Sequence, residues 1–431
     1  MNSADVIVIG GGFAGVIAAR DLSNAGHSVI LLEGRDRLGG RTWSRRFEGY
    51  SQQLEMGGTW IAPTKQKFVA AELSRYGIGT HQSPAAEDFG WAIDDEIKRE
   101  PFPIPATQWP DFEVAISRIN ADAARIRFYE EPLGQDGLDD LDIPFSTYVE
   151  DLKAPRITSE FLLAWPTFYF GAYPQNLSAL HVLSWVAGFG SASGWYTLLT
   201  DKVLGGTKNL VDHIIADSQT DVRLDNPVQS IHAVGERTQV TTRYGDVFES
   251  RAVVMATPIN TWDNIDVQPP LDGSHAAMAQ EKQAGESVKI WALVRGLERN
   301  FFGVGWHTRI KWMATEYTTD EGSYLVGFAS AAADLNPHDK DDITRAVHEF
   351  LPNVEVIAVD SHDWNRDEFS EGTWMAYRPG QVMAHSHGLQ ESHGRIAFAN
   401  SDIASGWAGW IDGAIESGIQ AAETVKKWLI S

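Results

Sequence analysis

A glycine-rich turn between an apolar strand and a helix, at the very start of the chain, limits its fold more than any other feature. Asp5-Val6-Ile7-Val8-Ile9 runs directly into Gly10-Gly11-Gly12-Phe13-Ala14-Gly15. A helical stretch then rises from Val16 to Ala25 and stops at Gly26, and a second apolar run, Ser28 to Leu32, ends on Glu33. Each part has a mechanical reason. Gly10 permits the tight turn, Gly12 lets the backbone approach a pyrophosphate, and Gly15 lets helix and strand pack closely. The N–H groups at the helix start, Phe13 and Ala14 among them, then face the anion. Glu33 stands 18 residues after Gly15, where a carboxylate accepts ribose hydroxyls and repels a 2′-phosphate. Strand, turn, helix and acid together predict an α/β, Rossmann-like nucleotide-binding unit and disfavour NADP.

The residues after Glu33 separate FAD from NAD. They read Gly34-Arg35-Asp36-Arg37-Leu38-Gly39-Gly40-Arg41-Thr42, followed later by Glu55-Met56-Gly57-Gly58-Thr59-Trp60. A nicotinamide site has no need of a second glycine pair followed at once by a fixed arginine. A bound FAD does: Gly39 and Gly40 allow close backbone approach, and Arg41 supplies a permanent positive fork for phosphate oxygens. The chain closes with Gly394-Arg395-Ile396-Ala397-Phe398-Ala399-Asn400-Ser401-Asp402 and Gly406-Trp407-Ala408-Gly409-Trp410-Ile411-Asp412-Gly413-Ala414.

On these motifs the chain resembles the flavin-containing amine oxidase (monoamine oxidase) family over essentially its whole length, less strongly in the middle than at the ends. Among its members it looks nearest to the bacterial 6-hydroxy-L-nicotine oxidases, through Asp142-Ile143-Pro144, Leu162-Leu163-Ala164-Trp165 and Ala256-Thr257-Pro258-Ile259-Asn260-Thr261-Trp262. The resemblance implies a glutathione-reductase-type FAD-binding domain with an inserted mixed α+β substrate domain. It places Val228, Thr257, Trp364, Ser401, Asp402, Trp410 and Ile411 at the cofactor, beside the glycines, Glu33, Gly34, Arg35, Arg41, Thr59 and Trp60 of the opening motifs. The expected FAD-binding domain is discontinuous, with segments 1–80, 204–285 and 394–431. The substrate domain takes 81–203 and 286–393.

Within this frame the first inserted segment opens on a proline-rich connector (Pro101, Pro103, Pro105, Pro110), and helical patterning follows from Phe112 to Tyr129. The tract Asp136–Asp142 reads as a solvated loop. Val228 and the alternating Thr238–Thr242 read as strand, and Arg251–Thr257 as a buried strand ended by Pro258. The last helix, from about Ile411 to Leu429, carries Ile411, Ile415 and Ile419 on one face, with Gly413 and Gly418 allowing close packing. By the resemblance its N-terminus points at the flavin ring, where the helix dipole stabilises negative charge on the reduced cofactor.

Composition removes other classes. A formal net charge of −23 excludes general nucleic-acid binding and disfavours anionic membranes, while an acidic exterior keeps the protein soluble and can steer cations. With no cysteine, neither disulfides nor thiol catalysis nor Cys-based metal sites are available. No run approaches the about 18 apolar residues of a membrane span. The chain ends soon after Lys426-Lys427-Trp428-Leu429, without the hydrophobic tail of membrane-anchored family members, so a cytoplasmic location is expected. His385, His387 and His393 lack ligand spacing and read as loop residues, so no metal is expected. A homodimer is compatible with the chain and required by nothing in it.

Three features are candidates for the chemistry. Lys289 interrupts the apolar run Ser287-Val288-Lys289-Ile290-Trp291-Ala292-Leu293; it either points to solvent from a strand or matches the family lysine that holds a water beside flavin N5 and assists reaction with oxygen. Trp374 and Trp410 match the two aromatic positions that face each other before the flavin, a slot with cation–π attraction for an ammonium. Phe168 and Tyr169, in Trp165-Pro166-Thr167-Phe168-Tyr169-Phe170, line either a core or the substrate pocket. Phe168 falls where the hydroxynicotine enzymes place an amide, which favours a more apolar amine with an aromatic or alicyclic body. Thr373 stands where some relatives carry a flavin-linking cysteine, so FAD is expected to be non-covalent. The expected reaction is hydride transfer from the α-carbon of a primary or secondary amine to flavin N5, giving an imine, with O2 reoxidation to H2O2. The alternatives are a dehydrogenase or desaturase using another electron acceptor, and a non-catalytic FAD-binding protein.

Overall fold

The computed structural model describes residues 2–198, 200–329 and 335–430. Its opening strand, Val6–Ile9, lies at the centre of a five-stranded parallel sheet ordered Asp221–Arg223, Val29–Leu32, Val6–Ile9, Ala252–Met255, Ile396–Phe398. The three central strands are buried at every position, which explains why they read as unbroken apolar runs rather than alternating ones. Chain segments nearly 400 residues apart thus meet in one sheet.

Helix Phe13–Asn24 packs on this sheet and against the closing helix Ile411–Ile430. Close approach is the requirement at both contacts. A Cβ on Gly15 would stand 1.9 Å from the carbonyl oxygen of Gly10, and one on Gly418 would stand 2.4 Å from that of Ala14. Ile411 and Ile415 are buried in this core, and Ile419 packs against it.

A seven-stranded sheet faces the second half of the molecule, ordered Glu355–Ser361, Val288–Arg295, Gly322–Ala329, Ile310–Thr319, Phe301–Gly305, Asp88–Ile93, Glu96–Lys98. All its pairings are antiparallel except Phe301–Gly305 with Asp88–Ile93. Helices Trp109–Ala123, Arg156–Phe170 and Ala179–Phe189 pack around an aromatic core that includes Phe161, Trp165, Phe170 and Trp185. A small sheet of Trp60–Ile61, Asp201–Val203 and Thr80–Gln82 joins the two halves. A further four-stranded sheet holds Val228–Val234 and Arg237–Thr242.

Three local expectations are corrected. The helix expected over Phe112–Tyr129 runs from Trp109 to Ala123. The chain then turns inward, with Phe128 edge-on to Trp407 and the Tyr129 hydroxyl donating to Asp412 at 2.5 Å, contacts a continuing helix would not make. Asp142 ends the acidic tract as a buried anchor: it accepts from Ser178 Oγ at 2.6 Å and from the Met383 N–H at 2.9 Å. His385 closes the short helix Gln381–His385 rather than lying in a loop.

Candidate active site

The opening turn, the two glycine pairs, the closing segment and the seven-stranded sheet surround a single elongated cavity of about 610 Å3. At one end it is walled by Glu33, Gly34, Arg35 and Val228. Glu33 is held by two backbone donors: Gly11 N–H reaches its Oε2 at 2.6 Å and Arg35 N–H its Oε1 at 2.9 Å. Phe369 closes this end; it fills the space above Gly34, where a Cβ would lie 2.7 Å from its ring, and the Arg35 guanidinium lies 5.2 Å from the ring centre. The cavity then passes Gly10, Gly12, Phe13, Ala14, Gly40 and Thr257. Gly10 needs its left-handed φ of 101° to turn there, and above Gly12 the nearest atom to a Cβ would be Gly40 Cα at 3.8 Å, so bare backbone borders the space.

Arg41 also borders the cavity, but its fork is partly committed within the protein. Nη1 donates to Thr373 O at 2.7 Å, and Nη2 to Ser401 Oγ at 2.9 Å and Asp402 Oδ1 at 2.8 Å. Ser401 lies on the wall, whereas Asp402 is buried behind it and accepts from Arg41. Gly15 likewise lies off the cavity and serves the packing of helix on strand. These two are the expected cofactor residues that the structure sets back from the cavity.

Toward the other end Gly57, Gly58, Thr59, Trp60, Trp364, Trp410 and Ile411 border the space. Trp364 is fixed by its indole N–H donating to Met56 O at 3.0 Å. Lys289 emerges here from strand Val288–Arg295, a central strand of the seven-stranded sheet, with 3% of its surface exposed; the solvent-facing reading is excluded. Its Nζ donates to Thr59 Oγ1 at 2.6 Å and Gly57 O at 2.9 Å, and sits 5.0–5.7 Å from the ring centres of Trp60, Trp291 and Phe328. Burial holds its ammonium well below the usual lysine range, and the carboxylate of Glu55 opposes that shift.

Trp374 and Trp410 both line the cavity, each fixed from behind. The Trp374 indole N–H donates to Tyr169 O and the ring stands edge-on to Phe328, while Trp410 packs edge-on to Trp185 at 4.7 Å. Phe168 and Tyr169 sit at the C-terminal end of helix Arg156–Phe170 and join the same wall, whereas Trp165 belongs to the core. Phe168 stacks on Trp312, centres 5.7 Å apart and planes at 17°. The sequence reading missed Trp312, Phe328 and Trp185. Trp312 alternates with buried neighbours along its strand, which marks a face without saying what it faces, and Phe328 lies in a strand buried from Ser323 onward, where no pattern separates cavity wall from core.

The residues present fit FAD. Glu33 would offer a carboxylate to ribose hydroxyls, backbone at Gly12, Phe13 and Ala14 borders the cavity at a helix start, and an aromatic end adjoins Ile411 in the first turn of the closing helix. Among the described residues no cluster of His, Cys, Asp and Glu has the form of a metal site, and no helix is long and apolar enough to cross a membrane.

Residues 13–426 match the family model of flavin containing amine oxidoreductases, and the chain belongs to that family. It is 36% identical to (S)-6-hydroxynicotine oxidase of Paenarthrobacter nicotinovorans, over 96% of this chain and 97% of that protein. It is 32% identical to pseudooxynicotine dehydrogenase of a Pseudomonas species, over 99% of this chain and 86% of that protein. Its fold matches that of putrescine oxidase (TM-score 0.87, 24% identity, 99% of both chains) and of cyclohexylamine oxidase from Brevibacterium oxydans (TM-score 0.86, 19% identity, 99% of this chain and all of that one). The protein is an FAD-dependent amine oxidoreductase.

Proposed function

We propose that this enzyme is an oxidase of primary or secondary amines with an apolar aryl-alkyl or cyclic body, using non-covalent FAD and passing the electrons to O2. The observation that carries the reading is the placement of buried Lys289 on the same cavity wall as a chamber walled by Trp374, Trp410, Phe168 and Trp312. FAD, when bound, would supply a two-electron acceptor. Overall, the amine loses a hydride from its α-carbon and a proton from nitrogen to become an imine, and O2 takes up both electrons and two protons as H2O2.

The chain's own part is orientation and electrostatics. The aromatic walls exclude water and hold an apolar body, and the indole rings of Trp374 and Trp410 attract an arriving ammonium before it gives up its proton. Fixing Trp374 through Tyr169 O and Trp410 through Trp185 removes rotamer freedom that binding would otherwise have to freeze. Burial lowers the proton affinity of Lys289, and Thr59 Oγ1 and Gly57 O hold its Nζ in place. Phe168 offers no hydrogen bond to a polar ring substituent, which supports an apolar substrate body over a hydroxypyridine. Thr373, with no thiol, supports a cofactor held by contacts alone. Residues 1–80, 204–285 and 394–431 serve as the FAD-binding unit in this reading, and 81–203 with 286–393 as the substrate unit.

Anaerobic mixing with nicotine-like, arylalkyl, cyclic and aliphatic amines tests it. One group should bleach the flavin absorbance near about 450 nm, a property of the cofactor itself, and air should restore it with peroxide. Slow restoration by air and fast restoration by an artificial acceptor would make it a dehydrogenase, the second reading, favoured by the name of the pseudooxynicotine relative. A flavin that no amine bleaches would overturn the substrate class.

A further inference from the structure

The cavity extends beyond the aromatic chamber to Ser83, Pro84 and Ala85, and the exposure of Pro84 and Ala85 opens it to solvent on that side. Among the described residues one carboxylate lies along this stretch. Glu316, on strand Ile310–Thr319, borders the cavity with only 2% of its surface exposed. The Ser83 hydroxyl contacts its two oxygens at 3.1 and 3.0 Å, and the same hydroxyl accepts the Trp60 indole N–H at 2.9 Å. Buried Lys202, from strand Asp201–Val203, pairs with Glu316, and its Nζ lies 4.8 Å from the Tyr317 ring centre. Lys202 does not border the cavity. The pair therefore presents its negative end to the passage and keeps its positive end behind the wall. Among the described residues the other carboxylates on the cavity, Glu33 and Glu368, belong to its nucleotide end with Gly34 and Phe369.

We propose that Glu316, held in place by Lys202 and Ser83, is a cation-selecting residue on the access route, where it favours ammonium forms over neutral molecules of the same shape. This rests on the amine-oxidase reading for its biological sense, though not for its test. A buried carboxylate is poorly screened, so even a partly neutralised one discriminates strongly between a cation and its uncharged isostere. The Lys202 ammonium costs some of that attraction. In exchange it fixes the carboxylate on the cavity wall.

The test uses two molecules that cannot be oxidised as amines, benzyltrimethylammonium and its carbon isostere neopentylbenzene. Their binding to the FAD-loaded protein is read from perturbation of the flavin spectrum. The wild type should prefer the cation, and Glu316→Gln should reduce the ratio of the two dissociation constants by about tenfold with the neutral compound unaffected. Glu316→Asp, which keeps the charge, should retain most of the preference. Attraction by the tryptophan rings is common to all variants and cancels in the comparison. An unchanged ratio in Glu316→Gln would overturn the proposal, whatever the amine panel shows. If that variant fails to hold FAD, the double variant Lys202→Met/Glu316→Leu removes both charges together, a replacement buried pairs commonly tolerate, and the same ratio decides.

Discussion

An ammonium group enclosed by Trp60, Trp291 and Phe328 has little water to support its charge, and this is the condition of Lys289. Two acceptors, Thr59 Oγ1 and Gly57 O, fix where its nitrogen stands in either protonation state. Lys289→Met keeps the bulk and removes the nitrogen. It should slow reoxidation by O2 at least about tenfold, roughly 1.4 kcal/mol of barrier, while leaving anaerobic bleaching by amine within a few-fold, as measured by stopped-flow in each half-reaction. Equal losses in both halves would assign Lys289 to substrate positioning instead. The sequence marked this residue because a lysine interrupted an apolar run. Its bonding partners were not legible, since Gly57 and Thr59 lie more than 200 residues earlier and meet it only through the packing of the two halves.

On the scale of the element, the closing helix shows how a short pattern carries several demands at once. Its Gly418 allows contact with helix Phe13–Asn24, Gly413 lies against the Trp407 carbonyl, and Ile411 and Ile415 enter the core. Its first turns also bury two acids that sequence reading left without a role. Asp412 accepts from Val69 N–H at 2.8 Å and from the Tyr129 hydroxyl, and Glu416 accepts from the N–H groups of Ser405 and Gly406. Burial raises Asp412 from its ordinary 3.8 to about 6. Between those values the folded protein keeps a proton that the unfolded chain releases, so this group's contribution to stability falls as pH rises from about 4 to about 6 and is level above. Asp412→Asn does not titrate and can turn its amide toward the Tyr129 oxygen. Its stability relative to wild type should therefore improve across that window by on the order of 2–3 kcal/mol, seen as the pH dependence of the difference in Tm. A difference independent of pH would show that Asp412 stays ionised.

Across the whole molecule, the cavity is bordered by both the parallel sheet's loops and the seven-stranded sheet, so its occupant links the two. Removing FAD should lower stability by about 4 kcal/mol relative to protein in FAD at 1,000 times its dissociation constant, and calorimetry should show the apo transition at lower temperature. Identical apo and holo transitions would mean that the cavity walls hold together without it.

What the sequence determined alone is the opening turn, its acid and the closing helix. Their requirements are local: a glycine where a Cβ would strike backbone, an apolar strand where both faces are covered, small residues where helices touch. Tertiary structure decided the rest. Asp142 became an anchor, Arg41 was tied to Asp402, and Glu316 met Lys202, because buried polar groups must find partners wherever the fold brings them. The pairing of distant charges depends on which strands lie side by side, and that is settled by the burial of the whole core rather than by any neighbour in the chain.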